Sequence, residues 1–132
     1  MVKKYLKKII AESQQDLQVI SACCEGGKIK VSDIKYLPKN KIFLFLVDRI
    51  AREKENSNEK VKSIVKFEYI ENSKSKNIDH SSPDNLIELM AINIFKNKKN
   101  YEIILLFSNN GIITLTAEIV EVVLEDQNKI ND

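Results

Sequence analysis

The sequence predicts an α+β protein built mainly of antiparallel strands: a small curled sheet or partly open barrel, with an N-terminal helix and an amphipathic C-terminal helix. Three observations carry this reading. The apolar spacing changes from a helical period to a period of two at Gly27 and returns to a helical one near Thr116. The connections between apolar segments are short, which suits antiparallel neighbours and leaves no room for crossover helices. Asn109-Asn110-Gly111 is a tight-hairpin signal between two apolar runs.

The elements follow in order. Tyr5, Leu6, Ile9 and Ile10 share one face of a helix over 3–12, with Lys3, Lys4, Lys7 and Lys8 opposite. Asp16 opens and Gly26-Gly27 closes a second helix at about 15–24. Ile29 and Val31 alternate with lysines. The phase then slips at Ser32-Asp33, as a β-bulge makes it slip, before Ile34 and Tyr36 resume. Leu37-Pro38-Lys39-Asn40 reads as a turn, and Ile42 to Val47, apolar on both faces, as a central, well-covered strand. Residues 51–60 form a polar loop. Val61 to Ile70 is a strand with Val65, Phe67 and Tyr69 on one face, and the polar run 72–79 is a strand extension or a connection. Leu86 to Phe95 is a strand with a competing helical start at Pro83; Tyr101 to Ser108 and Ile112 to Thr116 complete a hairpin. Ile119, Val122, Val123 and Ile130 then mark the C-terminal helix, capped by Thr116. Antiparallel strands followed by one capping helix is the element order of pleckstrin-homology-like barrels, a likeness of order that carries no function.

The 132 residues fit one domain, spanning 1–132, with enough chain to bury a core without metal or disulfide support. A count of 21 Lys+Arg against 19 Asp+Glu leaves a net charge of +2, too small to argue for nucleic acid. Ile, Lys and Asn are abundant, a bias that AT-rich coding also writes, so the lysines alone say little about a partner. Adjacent Cys23 and Cys24 cannot readily bridge each other, and they read as buried small hydrophobes in a reducing compartment. The basic N-terminus lacks the uninterrupted apolar run of a signal peptide, and the longest apolar run is far short of a membrane span. The expected location is the cytoplasm.

Chemistry-bearing motifs are absent. No glycine-rich phosphate loop or nucleophile elbow occurs, and with 3 Gly the backbone has little means of cradling a phosphate. One His and two adjacent Cys do not supply spaced zinc ligands. His80 sits in the polar string 77–82 and reads as a surface-loop residue; Asp33 reads as a local turn partner. Asp33, Asp48, Arg49 and His80 are the only groups worth testing for catalysis, and the expectation is no enzyme, no cofactor and no metal.

Two segments carry a family resemblance. DLQVISACCE at 16–25 and KVSDIKYLPKNKIFLFLVDRI at 30–50 resemble the D-L-x-V-I-S-A helix and the K-V-x-D-I-x-Y-L-P-K strand–turn–strand of an uncharacterised alphaproteobacterial domain-of-unknown-function family. The family's second strand runs on through Asn-Arg-Phe and Trp-Glu, where this chain has Asp48, Arg49 and Ile50 and no Trp at all. The resemblance implies a cytoplasmic bacterial domain and carries no activity.

The functional expectation is therefore a non-catalytic interaction or scaffold module. Tyr5, Leu6, Ile9 and Ile10 are the candidate partner-facing residues, toward a protein partner or a second copy of the chain. The alternative is a polyanion binder for RNA or an anionic membrane surface. Lys62 and Lys66 on one segment and Lys96, Lys98 and Lys99 on another would face the anion. Nucleic acid is the lesser of these, because Phe43, Phe45, Phe67 and Phe107 fall on inward positions and leave no aromatics for stacking.

Overall fold

The computed structural model describes residues 7–51 and 59–129, with side chains described through 127. In chain order the elements are β1 (Lys8–Ala11), α1 (Gln14–Cys24), β2 (Lys28–Lys30), a 3₁₀ turn at Val31–Asp33, β3 (Ile34–Leu37), β4 (Ile42–Ile50) and β5 (Lys60–Phe67). They continue with β6 (Ile70–Lys76), β7 (Leu86–Lys96), β8 (Tyr101–Phe107), β9 (Ile112–Ala117) and β10 (Val122–Lys129). Every pairing is antiparallel. The hydrogen-bonded path runs β1-β10-β5-β4-β2-β7-β8-β9-β6, with β3 on β4, and it does not close.

The path has two halves joined where β2 bridges β4 and β7. Each half bends at a shared corner. The chain leaves β5 at Glu68 and enters β6, while β9 passes into β10 through residues 118–121. Glu68 N–H donates to Glu121 O at 2.9 Å and Glu118 N–H to Tyr69 O at 3.0 Å, so the two crossings are stitched together. Lys41, at the β3–β4 turn, accepts from Ile70 N–H through its carbonyl at 2.8 Å and pairs its ammonium with Glu118 at 2.7 Å. Beneath both halves lies one apolar cluster. It gathers Phe43, Phe45 and Val47 of β4, Val65 and Phe67 of β5, and Leu17, Ile20 and Cys24 of α1. Leu89, Ile103, Leu105 and Leu115 join it from the other half. Phe67 meets Phe43 edge-on at 5.9 Å between ring centroids.

The middle helix forms as its sequence dictates, although its cap is Ser13 and not Asp16. Ser13 Oγ accepts from Asp16 N–H at 3.1 Å, and Asp16 occupies the first turn, where its carboxylate faces the positive end of the dipole. Gly26 stops the helix at φ 81°, a conformation that costs glycine nothing. Gly27 is required for space: a Cβ there would lie 2.5 Å from Val47 Cγ2 and 2.9 Å from Cys24 O.

Both expected terminal helices are corrected. Residues 8–11 are strand β1, with Ile9 opposite Leu124 and Ala11 opposite Val122. Tyr5 and Leu6 lie outside the described residues. Four residues cannot distinguish a helical face from an edge strand, and β10 supplies the backbone partners that settle it. Val122–Lys129 is β10, not a capping helix, so the pleckstrin-homology-like order does not hold. Val122, Leu124 and Asp126 point inward while Val123 and Glu125 point out, which is a period of two. The inward acid at position 126 hid that alternation, and the helical spacing of Ile119 arose by coincidence.

Smaller differences have equally local causes. The phase slip at Ser32-Asp33 is one 3₁₀ turn, after which the chain moves from β7 onto β4. Tyr69 leaves the face of Val65 and Phe67 because the corner places it at φ 59°. The polar run after Asn72 continues β6 as an outer strand of the sheet. The hairpin turn centres on Asn109 and Asn110, at φ 59° and 64°, so both asparagines take the left-handed conformation of a type I′ turn and Gly111 does not. The strands form two partial meanders and not one, since β5 and β6 never pair. Strand β4 is central as expected, yet Ile42, Leu44 and Leu46 on its outer side remain half-exposed.

Candidate functional site

The outer face of the β7–β8–β9–β6 half is the surface with the clearest chemistry. The registers place three rows of side chains across it. Ala91, Leu106, Ile112 and Lys76 form one row; Asn93, Ile104, Thr114 and Lys74 the next; Phe95, Glu102, Thr116 and Asn72 the third. Leu106, Ile104 and Ile112 are half-exposed, and Phe95 is 55% exposed. The register shift at Met90 pushes that side chain out of the ladder to 47% exposure beside Ala91. Apolar side chains therefore occupy the middle of the face. Lys74 and Lys76 line its β6 side, and Lys98 and Lys99 stand at the β7–β8 turn.

Charge pairing separates these lysines from Lys8, Lys28, Lys41, Lys62 and Lys66, which each face an acid, though not from Lys30, Lys35, Lys39 and Lys60. Lys74, Lys76, Lys98 and Lys99 form no ion pair with a described residue. Glu102, the acid within the face, accepts from Asn97 Nδ2 at 3.0 Å. Lys96 does not join this surface: its ammonium lies 5.9 Å from the Tyr101 ring centre, at a cleft of about 460 Å³ lined by Glu12, Gln14, Ile119 and Glu121. The expected anion-facing set is thus split. Lys62 lies 2.9 Å from Asp48 and Lys66 3.3 Å from Glu68, both on the outer face of the other half.

The remaining expected site residues are scattered. Ile10 is 52% exposed on the sheet edge at β1, while Ile9 packs against the core. Asp33 sits in the 3₁₀ turn and Asp48 pairs with Lys62. His80 Nε2 is 3.0 Å from Ser75 Oγ on the surface, beside the loop in which Asp79 accepts from Ser81 and Ser82. Those hydroxyl and backbone donors from Ser81 hold the Asp79 carboxyl below its ordinary value. Cys24 is buried as expected, whereas Cys23 is only half-buried, at the margin of the core. Among the described residues no group of three or more His, Cys, Asp or Glu is placed to hold a metal, and no helix is long and apolar enough to cross a membrane.

Arg49 is the one of these residues in a dense polar network. It is 1% exposed on the inner face of β4. Its Nη2 donates to both Asp126 oxygens at 2.9 and 3.2 Å, and its Nε donates to Ser63 Oγ at 2.9 Å. Ser63 Oγ donates to Asp126 Oδ1 at 2.6 Å, and the Lys7 N–H donates to Asp126 Oδ2 at 3.0 Å. A buried, bidentate pair with satisfied oxygens ties β4, β5, β10 and the start of β1 together. It lines neither the cleft beside Lys96 and Tyr101 nor the one between α1 and β7. Asp126 escaped notice in the sequence because an acid beside Glu125 reads as solvated surface; the alternation from Val122 was its only signal.

Helix α1 covers the part of β7 that β2 leaves unpaired. Ser21 Oγ accepts from Ile92 N–H at 2.9 Å and Gln14 Nε2 reaches Ile94 O at 3.5 Å, so side chains stand in for a strand. A cleft of about 190 Å³ between Leu17, Gln18 and residues 92–95 marks where the helix and strand diverge.

Neither the curated proteins nor the solved structures contain a match to this chain. A family model does match, over residues 7–131, which takes in every element from β1 to β10. On that match the chain belongs to the protein family of unknown function DUF2948.

Proposed function

We propose that the chain is a non-catalytic interaction module that binds a protein partner through the outer face of β7, β8, β9 and β6. The observation that carries this reading is the pairing of an uncovered apolar centre with lysines that meet no carboxylate. Apolar residues ringed by polar ones are the usual composition of a docking surface. The polyanion alternative is weaker, because Lys62 and Lys66 already face Asp48 and Glu68. We place the module in a bacterial cytoplasm on the sequence grounds given above.

The test is differential recovery of partners from cells of the source organism. Met90→Lys with Phe95→Lys should abolish recovery of a protein that the unaltered chain retains, whereas Ile10→Lys and Ile50→Lys on the other half should leave it bound. Loss with the second pair and not the first would overturn the reading. Strong retention on heparin at about 150 mM salt, with no protein recovered, would favour the polyanion binder.

A further inference from the structure

We infer that the free edge of β6 receives an extended, acidic segment of the partner as an added antiparallel strand. The inference deepens the reading above and rests on it. Strand β6 ends the hydrogen-bonded path and, among the described residues, pairs with β9 alone. The ladder fixes which backbone groups remain. Phe107 N–H bonds to Gly111 O, so alternate residues of β9 serve β8 and leave Ile112, Thr114 and Thr116 to serve β6. Their partners Lys76, Lys74 and Asn72 point inward to the ladder. Ser73 and Ser75 consequently present their N–H and C=O groups outward, and no described backbone or side chain bonds to them there.

Three features select the occupant. The edge is pre-shaped: Ile70 is held by Lys41 O on one side, and Tyr36 Oη donates to Ile70 O at 3.1 Å. Ser73 and Ser75 are small, so a second backbone can approach. Lys74 and Lys76, without ion partners, stand beside the added strand's alternate positions and would repel a second β6 while attracting carboxylates. The opposite edge lacks this combination. Strand β1 offers four residues, and its Lys8 is within 3.9 Å of Glu125.

The experiment follows backbone amide signals of the full chain by NMR while a capped peptide of alternating Glu and Val is added. The peptide matches the 7 residues of β6. The amides of Ser73 and Ser75 should shift and gain exchange protection. A peptide with Lys for Glu should leave them unchanged, and so should one of equal charge with its glutamates in a block. Lys74→Glu with Lys76→Glu, which leaves the backbone intact, should weaken binding about tenfold at about 50 mM salt. Ser73→Pro, which removes one outward donor from an edge strand, should weaken it about fivefold. Equal binding of the block peptide, or no response at Ser73 and Ser75 at millimolar peptide, overturns the inference. Shifts confined to Ile104, Leu106 and Ile112 would end strand addition while leaving the interaction face standing. Loss of neither partner nor peptide in any face or edge variant would remove both.

Discussion

The two halves of the sheet treat the same residue types differently. Around β4, β5 and β10 several outward lysines are matched with acids: Lys8 with Glu125, Lys62 with Asp48, Lys66 with Glu68, and Lys28 with Glu88 across to β7, while Lys35 and Lys60 have no ion partner among the described residues. Inside that half Arg49, Ser63 and Asp126 form a buried, mutually hydrogen-bonded network. Around β6, β8 and β9 the lysines lack acids and the apolar outer side chains lack cover. One half holds the buried polar network and most of the ion pairs, and the other leaves more of its chemistry for something else to satisfy. Composition cannot reveal this, because the net charge of +2 averages over both.

The comparison breaks first if the satisfied half proves insensitive. Asp126→Ala removes the buried carboxylate that Arg49 Nη2 and Ser63 Oγ bond to and should cost about 3–5 kcal/mol in denaturant unfolding. Replacing both charges together, as Arg49→Met with Asp126→Val, should recover most of that loss, since apolar residues of similar volume commonly substitute for a buried pair. A double variant as unstable as the single one would show that the network has a role beyond satisfying itself. Phe67→Ala should cost a similar ~3–5 kcal/mol, because its ring packs on Phe43 and Phe45 beneath the corner.

Next in size is Gly27→Ala. Its Cβ meets Val47 and the Cys24 carbonyl, and a loss of about 1–3 kcal/mol is expected from overpacking against backbone. Smaller still, Phe95→Lys and Ile104→Lys on the open half should change stability by less than about 0.5–1 kcal/mol while altering partner recovery. A large stability loss there would mean the face is core and not docking surface. The smallest effect is at the corner. The hydrogen bond and charge of Glu118 raise the Lys41 ammonium above its ordinary value. A raised folded-state value means the contribution is whole at neutral pH and fades as pH climbs past 10.5 through the raised value. In denaturant unfolding the unaltered protein should then be slightly more stable than Glu118→Gln at neutral pH, and above pH 10.5 the two proteins should converge.

Particular residues show how much of this the sequence disclosed. The middle helix, the inward phenylalanines and the presence of a tight turn at 109–111 were legible because each rests on local patterning, although the helix is capped by Ser13 and not Asp16 and the positive φ falls on Asn109 and Asn110 and not on the Asn-Gly pair. The resemblance to a domain of unknown function was legible too, and the family match bears it out. Strands β1 and β10 were missed because their identity depends on each other: Ile9 and Leu124 are paired across more than a hundred residues. The open face was half visible. Lys98 and Lys99 were singled out, but grouped with Lys62 and Lys66, which pair with Asp48 on the neighbouring strand and with Glu68 two residues along the chain. Pairing of charges is a tertiary property, and so is the side of the sheet on which a run of isoleucines ends.

The position of β10 has a consequence for how the protein is made. It lies between β1 and β5, so the strand synthesised last is inserted between two that leave the ribosome early. Until residues 122–129 emerge, β5 waits with an open flank and the Asp126 carboxylate that Arg49 pairs with is absent. Such distant pairings slow folding, to milliseconds or longer by comparison with other β-rich domains (about 10⁻³–1 s). A nascent chain of this kind needs shelter for its first half, and truncation before Val122 should leave an aggregating product where loss of a mere capping element would not.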